Sequence, residues 1–179
     1  LGASAPIAAS EKSSSYTGLA DLIPLALFLL LALGVSFLCS ILEAVLLSVG
    51  PGQVQMMVED GKKSGRILKN LRSNLDRSLS AILTLNTVAH TAGAAGVGAE
   101  VARVFGNTYL GIASVILTLL VLVLSEIIPK TLGARHASSL ASKSAILIHW
   151  LSLLLLPVVI LLQGISTLLF GTANESTYS

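Results

Sequence analysis

The sequence predicts an all-α membrane protein, and three observations carry that reading. Its 179 residues are 54% hydrophobic and only 11% charged, with a mean hydropathy of +0.86. Soluble domains carry about 25% charged residues. Three apolar stretches reach or exceed the ~20 residues that a helix needs to cross a bilayer. Between the first two lies a basic segment whose apolar residues recur at helical spacing. The net charge of +2 is too small to indicate a nucleic-acid partner, so the partner implied is the lipid bilayer. A single cysteine, Cys39, rules out a disulfide framework within the chain.

Residues 1–18, mostly polar or small, read as a flexible N-terminal segment. The first apolar stretch runs from about Leu19 to Val49, with Asp21 and Glu43 its only charges. Gly50 to Arg77 follows, with Lys62, Lys63, Arg66, Lys69 and Arg72 inside it. Val54, Met57 and Val58, then Ile67, Leu68, Leu71 and Leu75, flank the Asp60-Gly61 break. That spacing predicts two short amphipathic helices against a membrane face.

The second stretch, about Leu79 to Val104, is rich in Ala and Gly. Its pairs Ala89/Gly93, Ala92/Gly96 and Ala94/Gly98 let helix backbones approach closely. Packing within the chain and a dimer seam both use such pairs. The third stretch runs from about Tyr109 to Leu132, with Lys130, Arg135 and Lys143 at its end or beyond. The positive-inside rule places both basic segments in the cytoplasm, the N-terminus outside, and Arg103 to Thr108 in an outer turn. A fourth apolar stretch, Ala145 to Phe170, contains Pro157 and Gln163. Its length favours a span, whereas a helix broken at Pro157 could lie along the cytoplasmic interface. Composition leaves both open. Residues 171–179 read as a loose tail.

Glu126 is the most informative residue. An ionisable group inside a membrane span costs roughly 2.5–3.5 kcal/mol on insertion scales and marks a functional site by default. Ser40, Asn86 and Glu126 each lie nine residues inside the inner boundary of their stretch, taken at Val49, Arg77 and Arg135. At ~1.5 Å per residue all three sit roughly 13 Å from the cytoplasmic edge, so they can converge. Glu43 adds a second carboxylate one turn from Ser40. The donors are oxygens, which suit hard cations; zinc or copper would call for Cys and His. Pro129 has no N–H for the carbonyl of Ser125, which leaves that oxygen beside Glu126. Lys130 follows Glu126 by four residues and either holds its carboxylate ionised or snorkels to the surface. His90 shares a face with Asn86, either as an interhelical hydrogen-bonding group or as a ligand.

At these residues the sequence resembles a known family. Cys39-Ser40-Ile41-Leu42-Glu43-Ala44-Val45-Leu46-Leu47-Ser48 is similar to the first-span signature of the CNNM/CorC (CorB) transmembrane domain, also called DUF21. Leu83-Thr84-Leu85-Asn86-Thr87 resembles its Asn motif, and Ser125-Glu126-Ile127-Ile128-Pro129-Lys130-Thr131 its Glu-x-x-Pro-Lys motif. The resemblance covers about Leu19 to Phe170. It implies a homodimeric magnesium transporter of the cell (inner) membrane, exporting Mg²⁺ coupled to Na⁺. The implied fold has three transmembrane helices, two short cytoplasmic juxtamembrane helices and a Pro157-kinked, belt-like helix at the cytoplasmic interface. The C-terminus is then cytoplasmic and leads to a CBS-pair regulatory domain. Carried over by motif, Ser40, Asn86 and Glu126 would be cation ligands. The chain departs from the pattern at His90, Ala94, Ala95 and Ile41; Thr91 is the nearest substitute for a further hydroxyl ligand.

Other readings compete. A cation sensor or membrane anchor for a regulatory domain would bind Mg²⁺ without carrying it. The same oxygens could select Na⁺ or Co²⁺. An intramembrane hydrolase built on Glu126, His90 and a metal lacks both a second ligand at zinc-site spacing and an activated nucleophile. No enzyme is expected.

Overall fold

The computed structural model describes residues 19–158 together with 160, 161 and 164. The loose segments expected at 1–18 and 171–179, and most of 159–170, lie outside the described residues. Every element among the described residues is helical.

Helix α1 (Leu19–Ser48) takes up the whole first apolar stretch. It is followed by α2 (Pro51–Glu59) and α3 (Lys63–Ser73), the two short helices expected from the amphipathic spacing. They part at Gly61, whose φ of 72° lies in the left-handed region that glycine enters without a Cβ penalty. Pro51 at the start of α2 has no N–H to leave unsatisfied there. Helix α4 (Leu75–Phe105) runs 31 residues and ends at Gly106, also left-handed at φ 89°. A short 3₁₀ turn, Asn107–Tyr109, leads into one continuous rod. The rod consists of α5 (Leu110–Leu120), a π-helical stretch Val121–Ile127, and α6 (Ile128–Arg135). Helix α7 (Ala137–Leu154) closes the described fold.

Helices α1 and α4 pack along each other, and the rod leans on both: α5 on α4, the π-helical stretch and α6 on α1. Gly93 and Gly96 make the α1–α4 approach possible, because a Cβ at either would run into Ala32 or Phe28 of α1. Gly98 meets nothing within 4 Å. Of the small-residue pairs, two therefore serve packing within the chain. Arg103 of α4 donates to the Asp21 carbonyl at 2.9 Å and pairs with Glu100, tying the start of α1 to the end of α4.

The tightly packed core sits at the other end of the molecule. There Leu46 and Val49 of α1 meet Val54 and Met57 of α2, Leu68 and Leu71 of α3, and Ala141, Ala145 and Ile148 of α7. Helix α7 starts at Ala137, eight residues before the apolar stretch read from the sequence. It ends at Leu154. Leu155 forms a turn and residues 156–158 are helical again, so the helix breaks two residues before Pro157, whose missing N–H and ring disfavour an uninterrupted helix there.

Away from that core the helices are apolar yet uncovered. Leu27, Leu30 and Leu31 of α1 and Ile112, Val115 and Leu119 of the rod are each more than half exposed. Two segments, Asp21–Ser48 and Asn107–Arg135, are long and apolar enough to cross a membrane, with mean hydropathies of 2.7 and 2.5. Only 6% of the second is buried inside the fold. A soluble protein does not leave so large an aliphatic surface in water, so this surface belongs against lipid.

Candidate cation site

The π-helical stretch builds the centre of the site. Pro129 cannot hydrogen-bond the Ser125 carbonyl, and its ring crowds the preceding turn. The helix widens there, and the N–H of Ile128 reaches back five residues to Val123. Such widened turns occur frequently at functional sites. The Ser125 carbonyl, denied its helical partner, accepts a 2.6 Å hydrogen bond from the Ser40 hydroxyl of α1. Ser125 and Ser40 are both fully buried. The Ser125 hydroxyl donates in turn to the Leu33 carbonyl at 3.1 Å. Donating its proton leaves both lone pairs of Ser40 Oγ available to a further partner.

One residue on, Glu126 reaches α4. Asn86 Nδ2 donates to Glu126 Oε1 at 3.3 Å. Asn86 is buried, and its Oδ1 has no donor among the described residues. A buried amide oxygen without a donor costs about 1–3 kcal/mol, so native structures rarely leave one without a reason. Glu126 Oε2 pairs with Lys130 Nζ at 3.1 Å, and the same ammonium reaches Glu43 Oε2 of α1 at 3.3 Å. Lys130 thus bridges the two carboxylates instead of simply extending to the surface. On its far side Glu126 lines a cavity of about 300 Å³ together with Ala32, His90, Thr118 and Val121.

The structure accordingly brings Ser40, Asn86, Glu126 and Glu43 into one neighbourhood. Thr91 stands outside it: its hydroxyl donates to the Thr87 carbonyl on an exposed face of α4. His90 is hydrogen-bonded to the fully buried Ser36 of α1 at 2.6 Å. Sequence reasoning missed Ser36, although it lies one helical turn before Ser40 and extends the same polar stripe. It also missed the Glu43–Lys130 contact, for which the sequence carries no local signal. Among the described residues no three His, Cys, Asp or Glu side chains gather as a metal cluster. The donors here are two carboxylates, an amide and a hydroxyl, a set suited to hard cations.

Replacing Ser40 by alanine removes the side-chain donor that the Ser125 carbonyl has from α1. The expected loss of stability is about 1–3 kcal/mol, read as a lower unfolding temperature in the absence of any divalent cation. An unchanged unfolding temperature would show that another group satisfies that carbonyl.

Residues 26–179 match the family model described as the Cyclin M transmembrane N-terminal domain. The chain belongs to the CNNM family. A UPF0053 protein of Synechocystis is 36% identical to it over 131 residues, which are 73% of this chain and 38% of that protein. A DUF21 domain-containing protein of Arabidopsis thaliana, named chloroplastic, is 32% identical over 132 residues, 74% of this chain and 20% of the relative. The UPF0053 inner membrane protein YfjD of Escherichia coli is 29% identical over 136 residues, 75% and 32% of the two chains. The CNNM chain described here thus spans between 20% and 38% of the length of these curated relatives. Its Ser40, Asn86 and Glu126 all fall inside the region that the CNNM model matches.

Proposed function

We propose that this chain is the membrane-embedded domain of a Mg²⁺ transporter, with the ion taken up as substrate among Ser40, Asn86 and Glu126. The observation that carries the reading is the buried Asn86 Oδ1, which has no donor among the described residues and belongs to the residue that binds the Glu126 carboxylate. A cation accepts that oxygen and the carboxylate as ligands together, and oxygen donors of this kind suit a hard ion. Export coupled to Na⁺, assembly as a homodimer in the cell membrane and a following cytosolic CBS-pair domain belong to the same proposal. Support for them comes from membership of the CNNM family.

In this reading α1, α4 and the α5–α6 rod are three spans, with the N-terminus outside. The layer of α2, α3 and α7 lies at the cytoplasmic face. Mg²⁺ gives up water reluctantly and demands near-octahedral geometry, so passage needs the helices to rearrange. The π-helical stretch just before Pro129 interrupts the regular helical ladder and is the natural place for that movement. The cavity between His90 and Glu126 offers the ion a route on the side away from Lys130. We propose a carrier and not an enzyme: His90 is engaged by Ser36, and the oxygen groups around Glu126 suit holding an ion.

Lys130 competes with the ion in this arrangement, because its ammonium already stands on the carboxylates that attract the cation. Lys130→Met is expected to tighten Mg²⁺ binding about tenfold, the scale of one like charge removed from a partly solvated site. Weaker binding would mean that Lys130 instead organises the carboxylates.

Thermal unfolding of the purified chain against MgCl₂, with NaCl and CaCl₂ at matched ionic strength, tests the reading. Binding to the native state raises stability as RT ln(1 + [L]/Kd). A Mg²⁺-specific rise supports the site. No rise up to tens of millimolar leaves Glu126 a structural group, and the anchor reading then leads.

A further inference from the structure

A second polar cavity lies far from the cation site, where α3, α4 and α7 meet, and nothing in the cation chemistry uses it. It holds about 300 Å³ and is lined by Asn70, Asn74, Arg77, His149 and Ser152, with Leu156 at its edge. Arg77 makes no ion pair or hydrogen bond among the described residues, although Asp76 is its neighbour in the chain. Ser152 Oγ is buried and has no partner among the described residues. Among those residues no carboxylate lines the cavity. Asn74 Nδ2 is turned onto Asn70 and Ser73, but an unpaired guanidinium, an imidazole, the Asn70 amide N–H groups and an unsatisfied hydroxyl still form a donor-rich pocket whose missing partner is an anion.

The surroundings say which anion. On α7, beside His149 and Ser152, Trp150, Leu153 and Leu154 are 64%, 54% and 75% exposed. A donor pocket that runs directly into an uncovered apolar helix face matches a headgroup joined to acyl chains. A free inorganic ion would use only the first half of it. Tryptophan is enriched at the membrane–water interface, and basic pockets between helices on the cytoplasmic side hold anionic lipid headgroups.

We propose that this cavity binds the phosphodiester headgroup of an anionic phospholipid, with Arg77 as its charge partner and the exposed face of α7 against the acyl chains. The site requires only that α7 lies at a membrane surface. It does not depend on Mg²⁺ transport, and its test contains no Mg²⁺.

The test is thermal unfolding of the detergent-solubilised chain titrated with phosphatidylglycerol, with phosphatidylcholine of the same acyl chains, and with inorganic phosphate. Phosphatidylglycerol is expected to raise the unfolding temperature at concentrations where the other two do not. Arg77→Gln should raise the half-saturating phosphatidylglycerol concentration about tenfold. Arg66→Gln, which removes another exposed cation outside the cavity, should leave that concentration unchanged. Both variants should unfold at the wild-type temperature without lipid, because neither side chain has a hydrogen-bond or ion-pair partner among the described residues. Equal shifts with phosphatidylcholine would overturn the proposal, since headgroup charge would then be irrelevant. So would an equal shift with inorganic phosphate, which would mark an ion site only. Equal losses in Arg66→Gln and Arg77→Gln would reduce the effect to diffuse surface charge and overturn it too.

Discussion

Glu126→Gln is expected to abolish Mg²⁺-dependent stabilisation of the chain. Glutamine has the same shape and can keep a hydrogen bond to Asn86, so the helices should still pack. What it loses is the negative charge, and with it the term that draws a dehydrated divalent cation into a membrane. Lys130 would retain Glu43 as a partner, which limits the damage to the fold. In wild type, Mg²⁺ at about a hundred times its Kd adds roughly 2.7 kcal/mol to stability. In Glu126→Gln that increment should vanish at the same concentration, while the cation-free unfolding temperature moves little. A retained increment would place the ion elsewhere. Asn86→Ala separates the two groups further: it removes the unsatisfied oxygen and keeps the carboxylate, so it should weaken binding without eliminating it.

The second large effect is structural. Gly133→Leu should separate α6 from α1 and destabilise the fold by about 1–3 kcal/mol or more, the range for forcing extra carbons into a packed interface. A Cβ at Gly133 would lie 2.9 Å from both Ala44 Cβ and the Ile41 carbonyl oxygen, and 3.2 Å from Ile41 Cα. Two of those three atoms are backbone, so no side-chain rotation relieves the clash. The α1–α6 pair also carries the Glu43–Lys130 contact, and the π-helical stretch just before α6 carries the Ser40–Ser125 hydrogen bond. Mg²⁺ binding should therefore weaken together with stability. Gly34→Ala is the contrast: a Cβ there meets nothing within 4 Å, and alanine is the better helix former. It should unfold at or above the wild-type temperature. Equal effects of the two substitutions would mean that the α1–α6 approach is not close in solution.

What the sequence made legible was whatever a local pattern records. Apolar length set α1 and the α5–α6 rod, and the period of Ile67, Leu68 and Leu71 around Gly61 set the two short helices. Pro129 announced an unpaired carbonyl at Ser125, and its partner proved to be Ser40, itself one of the three residues placed at equal depth. The start of α7 was placed eight residues late because its first turns bury Ala137, Ala141 and Ala145, small residues that hydropathy barely registers although they lie on one face. The π-helical widening has no sequence signature beyond the proline. The Ser36–His90 and Glu43–Lys130 contacts join residues 54 and 87 positions apart, and only the packing of helices brings such pairs together. Thr91 failed to join the site because a threonine in a helix can satisfy its hydroxyl on its own backbone.

The most direct measurement of the central claim is Mg²⁺ flux into dye-loaded proteoliposomes containing wild type or Glu126→Gln, at equal and verified incorporation. Flux from wild type above empty liposomes, lost in Glu126→Gln, is the result this account predicts. Wild-type protein that is folded, inserted and stabilised by Mg²⁺ yet moves none would contradict it, and would make the domain a cation-sensing membrane module.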